Sequence, residues 1–141
     1  VVFGKASGFT ASILVSSLDG TNGFTIYGRN SYGQCGRTVG SGDVNGDGFA
    51  DVLVGCPNAD GGVGEVLVVF GKASGFTASI LVSSLDGTNG FTIYGRNSYG
   101  QCGRTVGSGD VNGDGFADVL VGCPNADGGV GEVLVVFGKA S

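Results

Sequence analysis

The sequence predicts an all-β fold in which one four-stranded antiparallel unit is repeated. Composition gives the first two observations. Glycine accounts for 31 of 141 residues, and Met, Trp and His are absent; glycine breaks helices and marks turns, whereas the Val, Thr, Phe and Tyr between the glycines favour pleated strands. Hydrophobic residues make up 41% of the chain, too many for a disordered glycine-rich polymer. The third observation is an internal repeat.

The repeat is 67 residues long and occurs twice, followed by seven further residues. The run VVFGKAS at positions 1–7 returns at 68–74 and again at 135–141, and the two copies match at every position. Such identity is typical of a recent duplication, of deliberate construction, or of a window in a longer array, and all three interpretations stay open here.

Each repeat begins its sheet with two strands around an acidic loop. Residues 35–42, CGRTVGSG, are the predicted first strand, whose small side chains allow close approach at a crowded inner edge. The acidic loop covers residues 43–51, and residues 52–57, VLVGCP, form a second strand that is apolar without alternation. Unbroken apolar strands favour burial on both faces, so each sheet is expected to lie between other sheets.

Two more strands complete the predicted unit. Beyond a turn at 58–62, residues 65–70, EVLVVF, form the third strand. A long connection follows, with Phe76, Ile80 and Leu81 as its expected apolar anchors. The fourth strand, residues 91–94, alternates as an outer strand should. Four antiparallel strands per repeat are the content of one β-propeller blade.

The acidic loop, DVNGDGFAD, predicts a calcium site. Oxygen-bearing side chains stand at loop positions 1, 3, 5 and 9, a glycine at position 6 permits the bend, and the backbone carbonyl at position 7 supplies a further oxygen. Hard oxygen ligands in a flexible loop suit Ca²⁺ better than Mg²⁺ or a soft metal. We expect one ion per repeat, two per chain, with these ligands: Asp43, Asn45, Asp47, Phe49 and Asp51 in the first repeat, and Asp110, Asn112, Asp114, Phe116 and Asp118 in the second.

Two alternatives to a calcium site fit the loop less well. A solvated turn rich in Asp and Asn is the simpler interpretation, but three carboxylates so close together would repel one another without a cation. An EF-hand requires an acidic residue at loop position 12, where Val54 stands, and helices rather than strands on its flanks. The net charge is −5, which two divalent cations would bring to −1, so the loops account for most of the acidity.

Several function classes are disfavoured. No basic stripe exists to neutralise phosphates, which argues against nucleic acid. No apolar run approaches the length of about 18 residues that a membrane span requires. Catalysis is also disfavoured, because no histidine is present to act as a base for Ser or Cys and most carboxylates are committed to the loops. The expectation is therefore a protein that is not an enzyme.

The loop and the strand after it resemble the FG-GAP repeat of integrin α-subunit propellers and of many bacterial surface proteins. Residues 43–51 match the family's calcium loop, residues 52–57 match the segment after it, and the resemblance covers essentially the whole repeat. It implies one four-stranded propeller blade per repeat, with calcium in the hairpin between the first two strands. It also implies an extracellular or cell-surface location and a structural or adhesive role.

The sequence departs from that family at the two positions that give it its name. Residues 35–36 are Cys-Gly where the family has Phe-Gly, and residues 55–57 are Gly-Cys-Pro where it has Gly-Ala-Pro. Because the two strands run antiparallel around the loop, with Asp43 expected opposite Asp51 and Thr38 opposite Cys56, the two new cysteines lie near each other.

We therefore expect two disulfides, Cys35–Cys56 and Cys102–Cys123, each stabilising the fold by about 3 kcal/mol. An inter-blade bridge such as Cys56–Cys102 is the main alternative, and buried free thiols are the other. A bridge indicates an oxidising compartment, which agrees with a location outside the cell.

The repeats are out of phase with the expected blades. Residues 1–29 supply the end of a third strand and an outer strand, residues 30–96 a complete blade, and residues 97–141 the inner three strands of another. Complementary part-blades are expected to pair head to tail between chains, closing a ring with an even number of blades or continuing as a filament. Alternatively, the sequence is a segment of something longer.

The functional hypothesis is a calcium-stabilised extracellular structural or adhesive module whose main partner is itself. The alternative is a ligand-binding module that holds an extracellular protein or glycan on the surface loops of a closed ring. Its candidate contacts are Tyr27, Arg29, Tyr32 and Arg37, each of which also fits an ordinary surface or inter-blade position.

Overall fold

Four antiparallel strands form the sheet at the centre of the chain. In the computed structural model, which describes residues 1–140, they lie in the order β2-β3-β4-β6. The strands are β2 (Thr38–Gly42), β3 (Asp51–Cys56), β4 (Glu65–Val69) and β6 (Gly90–Tyr94). This sheet, called the central blade below, confirms the predicted all-β, four-stranded antiparallel unit.

A second sheet repeats the first three of these strands. It contains β7 (Thr105–Gly109), β8 (Asp118–Cys123) and β9 (Glu132–Val136), in that order, and is called the C-terminal sheet. Its register copies that of the central blade. Thr105 pairs with Gly122 as Thr38 pairs with Gly55.

The N-terminal segment, residues 1–29, lies on the other side of the central blade. A short 3₁₀ helix (Val15–Ser17) precedes strand β1 (Thr25–Tyr27). An antiparallel bridge joins Val2 to Gly23, which repeats the pairing of Val69 with Gly90 in the central blade. The segment thus holds the end of one strand against the start of another.

The connection between β4 and β6 carries the remaining elements. Strand β5 (Ser79–Leu81) pairs in parallel with β1, a pairing that the sequence did not predict, and a 3₁₀ helix (Val82–Ser84) follows it. Two four-residue turns, α1 (Ala59–Gly62) and α2 (Ala126–Gly129), link the second and third strands of the two sheets, and their central residues have positive φ angles rather than α-helical ones. No helix in the described part of the chain is long and apolar enough to cross a membrane.

Strands β3 and β4 of the central blade are buried on both faces, as their unbroken apolar sequences predict. One face packs on the C-terminal sheet, and the other packs on the N-terminal segment and the connection. The first cluster contains Leu53, Val66 and Val68 with Val119, Val121 and Cys123; the second contains Val54, Cys56, Leu67 and Val82, with Ile26 against it. Every residue of β4 is buried.

The hairpin register differs from the expected one by a single residue. Gly42 pairs with Asp51, and Thr38 with Gly55, so the expected pairs Asp43–Asp51 and Thr38–Cys56 are wrong. Asp43 lies outside the strand because its carboxylate accepts hydrogen bonds from the loop backbone. Strand β2 also begins at Thr38 rather than at residue 35, since positive φ angles at residues 34 and 36 form a turn there.

The anchors of the connection also need one correction. Leu81 is 51% exposed, whereas the next residue, Val82, is 5% exposed and packs in the core. The reason is that β5 ends at Leu81 and the following 3₁₀ helix turns Val82 inward. Phe76 and Ile80 are partly buried, and Phe76 stacks on Phe24 with ring centroids 4.6 Å apart.

Each of the two cystines joins two residues of the same repeat unit and does not link neighbouring units. Cys35 is bonded to Cys56 and Cys102 to Cys123, so the bridges join the residues before the first strand to the end of the second. A glycine backbone packs against each bridge. A Cβ atom built on Gly95 would lie 2.8 Å from the Cys102 Sγ, and a Cβ on Gly28 would overlap the corresponding sulfur.

Ion pairs repeat at the junctions between neighbouring units. Arg29 of the N-terminal segment lies 3.3 Å from Glu65 of the central blade, and Arg96 of the central blade lies 3.3 Å from Glu132 of the C-terminal sheet. Glu65 is fully buried, and its charge raises the pKa of Arg29. The same pair of side chains therefore joins each unit to the next.

Candidate metal loops

The acidic loops are the hairpins between the first two strands of each sheet, β2 to β3 and β7 to β8. Gly46 and Gly48 adopt φ angles of 73° and 87°, in the left-handed region that glycine enters without a steric penalty. The corresponding glycines, Gly113 and Gly115, adopt 79° and 91°. These glycines let the backbone reverse within nine residues.

Three predicted ligands of the first loop are linked to one another by hydrogen bonds within the loop. The N–H of Asp47 donates to Oδ1 of Asp43 at 3.1 Å and to Oδ1 of Asn45 at 3.2 Å. Asp43 Oδ2 accepts from the N–H of Gly48 at 2.9 Å, and the Asn45 amide donates to Asp47 Oδ2 at 3.0 Å. The N–H of Asp47 thus holds one oxygen of Asp43 and one of Asn45 close together.

The second loop is built in the same way. Asp110 accepts from the N–H groups of Gly113, Asp114 and Gly115, and Asn112 donates to Asp114 at 2.8 Å. These backbone donors, with that of Gly115 contributing most, lower the pKa of Asp110. The N–H groups of Phe49 and Phe116 donate to Asp47 and Asp114 at 2.8 and 2.9 Å, and the role of their carbonyls as ligands stays a prediction.

Asp51 has a structural task that sequence reasoning missed. Its Oδ2 accepts from the N–H of Val44 and its Oδ1 from the N–H of Gly71, both at 2.8 Å. The carboxylate is fully buried and so ties the loop to the end of β4. Asp118 does the same with Val111 and Gly138. The signal in the sequence was the position of Asp51 at the start of an apolar strand, where a charged side chain needs buried partners.

Burial has an electrostatic consequence at Asp51. Loss of water raises the pKa of this carboxyl, and the charge of Asp47 adds to the rise, while hydrogen bonds from Gly71, Val44 and Asn45 oppose it. Relative to the unfolded chain, burial therefore makes ionisation of Asp51 less favourable, and the cost to folding stability develops as the pH rises from the ordinary Asp pKa to the raised one. A cation beside the loop would offset that cost.

The donor set fits a hard divalent cation. Each loop carries three carboxylates, and the two ion pairs found among residues 1–140 involve none of them. Each carboxylate oxygen that accepts one N–H retains a lone pair for a metal. Two groups of cysteine and carboxylate atoms lie within 4.8 Å of one another, one at Cys35, Cys56 and Glu65 and the other at their copies. Their sulfur atoms form disulfides and are therefore not available as thiolate ligands. Among the described residues, the three carboxylates of a loop are not gathered this closely, because Asp51 is turned toward the N–H groups of Val44 and Gly71.

The two loops touch each other across the junction between the sheets. The carbonyl of Asp43 accepts from the N–H of Ala117 at 2.9 Å, and the carbonyl of Val44 accepts from the N–H of Lys139 at 3.0 Å. The ring of Phe116 lies so close to Gly46 that a Cβ there would overlap it. The candidate metal loop of one sheet is therefore part of its contact with the next sheet.

The candidate ligand-binding residues divide into two groups. Tyr32 and Tyr27 are 86% and 53% exposed, and Arg37 hydrogen-bonds Gln34 on the surface. Arg29 is committed to the junction, because its guanidinium donates to Glu65 at 3.3 Å and to the Tyr94 hydroxyl at 2.6 Å.

Comparison with known proteins agrees with this geometry. The family model described as FG-GAP repeat matches residues 36–69 and 103–136, which in each case begin before the first strand and end with the third. Integrin alpha-5 of Xenopus laevis is 31% identical over 119 residues, covering 78% of this chain and 11% of the relative. Integrin alpha-PS2 of Drosophila melanogaster is 31% identical over 144 residues, covering 96% of this chain and 10% of the relative.

A relative of another kind is also similar. The phosphatidylinositol-glycan-specific phospholipase D of Dictyostelium discoideum is 31% identical over 121 residues, covering 76% of this chain. The match spans 12% of that protein. The chain thus corresponds to about an eighth or less of the length of each of these relatives.

The two tasks of the loop carboxylates can be separated by mutation. With a chelator present, Asp51→Ala is expected to lower the free energy of unfolding by about 2–4 kcal/mol, because it leaves two backbone N–H groups without an acceptor in a buried site. Asp47→Ala removes an exposed carboxylate and should cost less than about 1 kcal/mol under the same conditions. Urea unfolding followed by circular dichroism measures both. Equal losses for the two variants would contradict the structural role of Asp51.

Proposed function

The chain carries two FG-GAP repeats related to those of integrin α subunits, and from this premise we propose that it is a calcium-stabilised extracellular module with a structural or adhesive role. We further propose that copies associate head to tail. The observation that supports this best is the junction between the two sheets, where apolar faces, ion pairs and acidic loops of successive repeats meet.

In this proposal each loop holds one calcium ion. Asp43, Asn45 and Asp47 supply side-chain oxygens, Asp51 closes the site, and the Phe49 carbonyl adds a backbone oxygen; the second loop uses Asp110, Asn112, Asp114, Phe116 and Asp118. The ion neutralises the loop carboxylates and does no chemistry. Because Asp43 and Val44 accept hydrogen bonds from the next sheet, a rigid loop also stabilises the junction.

One face of the C-terminal sheet supports association with a second copy. Val66 and Val68 of the central blade are fully buried against the C-terminal sheet, whereas their copies, Val133 and Val135, are 67% and 42% exposed. The difference arises because the central blade has a neighbour on this side and the C-terminal sheet has none among the described residues. The side chains that make the internal junction are therefore presented again at the surface.

The opposite end of the molecule presents the matching face. Val106 of the C-terminal sheet is partly buried against the central blade, but its copy, Val39, is 66% exposed. Val39 lines an open groove with Val52 and Val54. The two exposed faces are the two sides of one internal junction, so contact between copies would be head to tail and would produce a ring or a filament.

The remaining parts of the proposal rest on chemistry. Two cystines fit an oxidising extracellular compartment, where calcium is also abundant. We propose no catalytic role, because the sequence has no histidine and the loop carboxylates are engaged by backbone N–H groups. One relative is named a phospholipase D, but the match spans only 12% of it.

A second candidate function is the binding of an extracellular protein or glycan on a surface of the assembled blades. The observation that favours it is the repetition of one exposed aromatic side chain. Tyr32 is 86% exposed and its copy, Tyr99, is 76% exposed, so an assembly would present a row of tyrosines. Tyrosine is enriched at such binding surfaces because it offers a large contact area and a polar hydroxyl.

Calcium is expected to stabilise the fold. At a free calcium concentration 100-fold above the dissociation constant, each site should add about 2.7 kcal/mol to the free energy of unfolding, so the melting temperature should rise relative to that in chelator. The double variant Asp47→Asn, Asp114→Asn should lose most of this rise, while magnesium at equal concentration should produce less of it. Calorimetry measures the shift. A melting temperature that is the same in calcium and in chelator would rule out the calcium role.

Association should depend on the exposed apolar face. In calcium, sedimentation velocity of the wild-type chain is expected to show species larger than one chain, and electron microscopy should show rings or filaments. Val133→Glu places a charge on that face and should give single chains. Because Val133 is 67% exposed, its replacement should leave the melting temperature nearly unchanged at concentrations low enough for the wild-type chain to be monomeric as well. A wild-type chain that stays monomeric in calcium at tens of micromolar would overturn the association proposal.

A further inference from the structure

An aromatic plug joins the connection of the central blade to the N-terminal segment. Phe76 stacks on Phe24 at 4.6 Å and lies 5.2 Å from Phe3, between ring centroids. The carbonyl of Phe76 lies so close to Gly20 that a Cβ on this glycine would overlap it. Immediately after the plug, β5 pairs with β1, with Ile80 opposite Ile26. Residues 76–82 are called the plug segment. The site that they occupy, formed by Phe3, Phe24 and β1, is called the acceptor site.

Among residues 1–140, the same segment occurs a second time without an acceptor site. Residues 8–18 and 75–85 have the identical sequence GFTASILVSSL. In the first copy Phe9, Ile13 and Val15 are 53%, 41% and 79% exposed, whereas Val82, the copy of Val15, is 5% exposed. The side chains that anchor the docked segment are therefore at the surface of the N-terminal one.

The acceptor site likewise occurs a second time, with no plug segment in it in the part of the chain that the structure describes. Phe70 and Phe91, the copies of Phe3 and Phe24, meet edge to face at 5.9 Å and 66°, against 5.8 Å and 61° for the occupied pair. They line a cavity of about 390 Å³ together with Gly87 and Phe137. A Cβ on Gly87 would meet nothing within 4 Å, although its copy, Gly20, is covered by Phe76. Strand β6 lies at the edge of its sheet, as an incoming strand requires.

We propose that this open acceptor binds the N-terminal plug segment of a second copy of the chain. Phe9 of the incoming copy would enter the cavity between Phe70 and Phe91, and residues 12–14 would pair in parallel with residues 92–94 of β6. The occupant is identified by identity of sequence, because the same eleven residues already fill the same kind of acceptor inside the molecule. The inference rests on the proposed head-to-tail association and names the contact that carries it.

The free segment is already shaped for docking. The Thr10 hydroxyl donates to the Ser12 carbonyl at 2.6 Å, as Thr77 does to Ser79 in the docked copy. The ammonium groups of Lys5 and Lys72 lie over the rings of Phe9 and Phe76 at 5.1 and 5.0 Å. A segment with the same local contacts in both settings loses little conformational freedom on binding, which favours affinity.

A synthetic peptide of residues 8–18 tests the contact directly. Residues 1–7 have the same sequence as residues 135–141, and residues of the stretch 136–140 already line the open acceptor site. The first residues of a whole incoming chain would therefore compete with them for the same position. The peptide lacks residues 1–7 and avoids this competition. Fluorescence anisotropy of the labelled peptide should show saturable binding to the wild-type chain. Phe91→Ala should weaken that binding at least about tenfold, since it removes an aromatic anchor. Phe137→Ala, at an exposed rim position, should weaken it even if Phe91→Ala folds poorly.

Three controls sharpen the result. A peptide with Phe9→Ala should bind at least about tenfold more weakly. The full-length variant Phe9→Ala should bind the wild-type peptide normally, because its acceptor is intact, but should not associate with itself. Mixed with Phe91→Ala, which keeps the plug and lacks the acceptor, it should form one-to-one dimers. A peptide that binds the wild-type and Phe91→Ala chains equally, or not at all, would overturn the inference.

The test also separates this contact from the proposed function. Peptide binding by a chain that stays monomeric in calcium would support the acceptor and refute head-to-tail association. Association of the wild-type chain that is unaffected by Phe9→Ala would support association and refute the plug.

Discussion

The apolar character of both faces of β3 and β4 is the constraint on which the rest of the structure depends. A strand with valine and leucine on both sides is stable only between two other layers. The central blade meets this requirement, with Leu53, Val66 and Val68 against one neighbour and Val54 and Leu67 against the other. The C-terminal sheet is covered on one side only: Val121, the copy of Val54, is fully buried, whereas Val133 and Val135, the copies of Val66 and Val68, are 67% and 42% exposed.

Stacking also explains why the acidic loops occupy their position. The loop of the central blade contacts the next sheet through the carbonyls of Asp43 and Val44, and Val44 is 4% exposed where its copy, Val111, is 59% exposed. A charged loop that lies at a junction must be neutralised and held in one shape. A bound cation would do both, which connects calcium to the contact between blades and not only to the hairpin itself.

Much of this could be predicted from the sequence, and the exceptions have physical causes. The strand types, the order of the central sheet and the place of the acidic loop follow from apolar patterns and turn residues within one repeat. The parallel pairing of β5 with β1 and the plug of Phe76 could not be predicted this way, because they are contacts between repeats. The register of β2 depended on whether Asp43 belongs to the strand or to the loop, and hydrogen bonds from the loop backbone decided that. Asp51 was predicted as a ligand from its position in the loop. The hydrogen bond that it accepts from Gly71 could not be predicted in this way, because the two residues are 20 positions apart in the sequence.

Hydrogen exchange at the amide of Lys139 tests most directly whether cation binding and blade stacking are coupled. This N–H donates to the carbonyl of Val44 in the first loop but lies outside both loops. In the variant Asp114→Asn, which leaves the first loop intact, calcium should slow its exchange at least about tenfold, together with the exchange of Asp47 and Gly48. Slower exchange at Asp47 and Gly48 with no change at Lys139 would contradict the account, since the loop would then bind its ion without stabilising the junction.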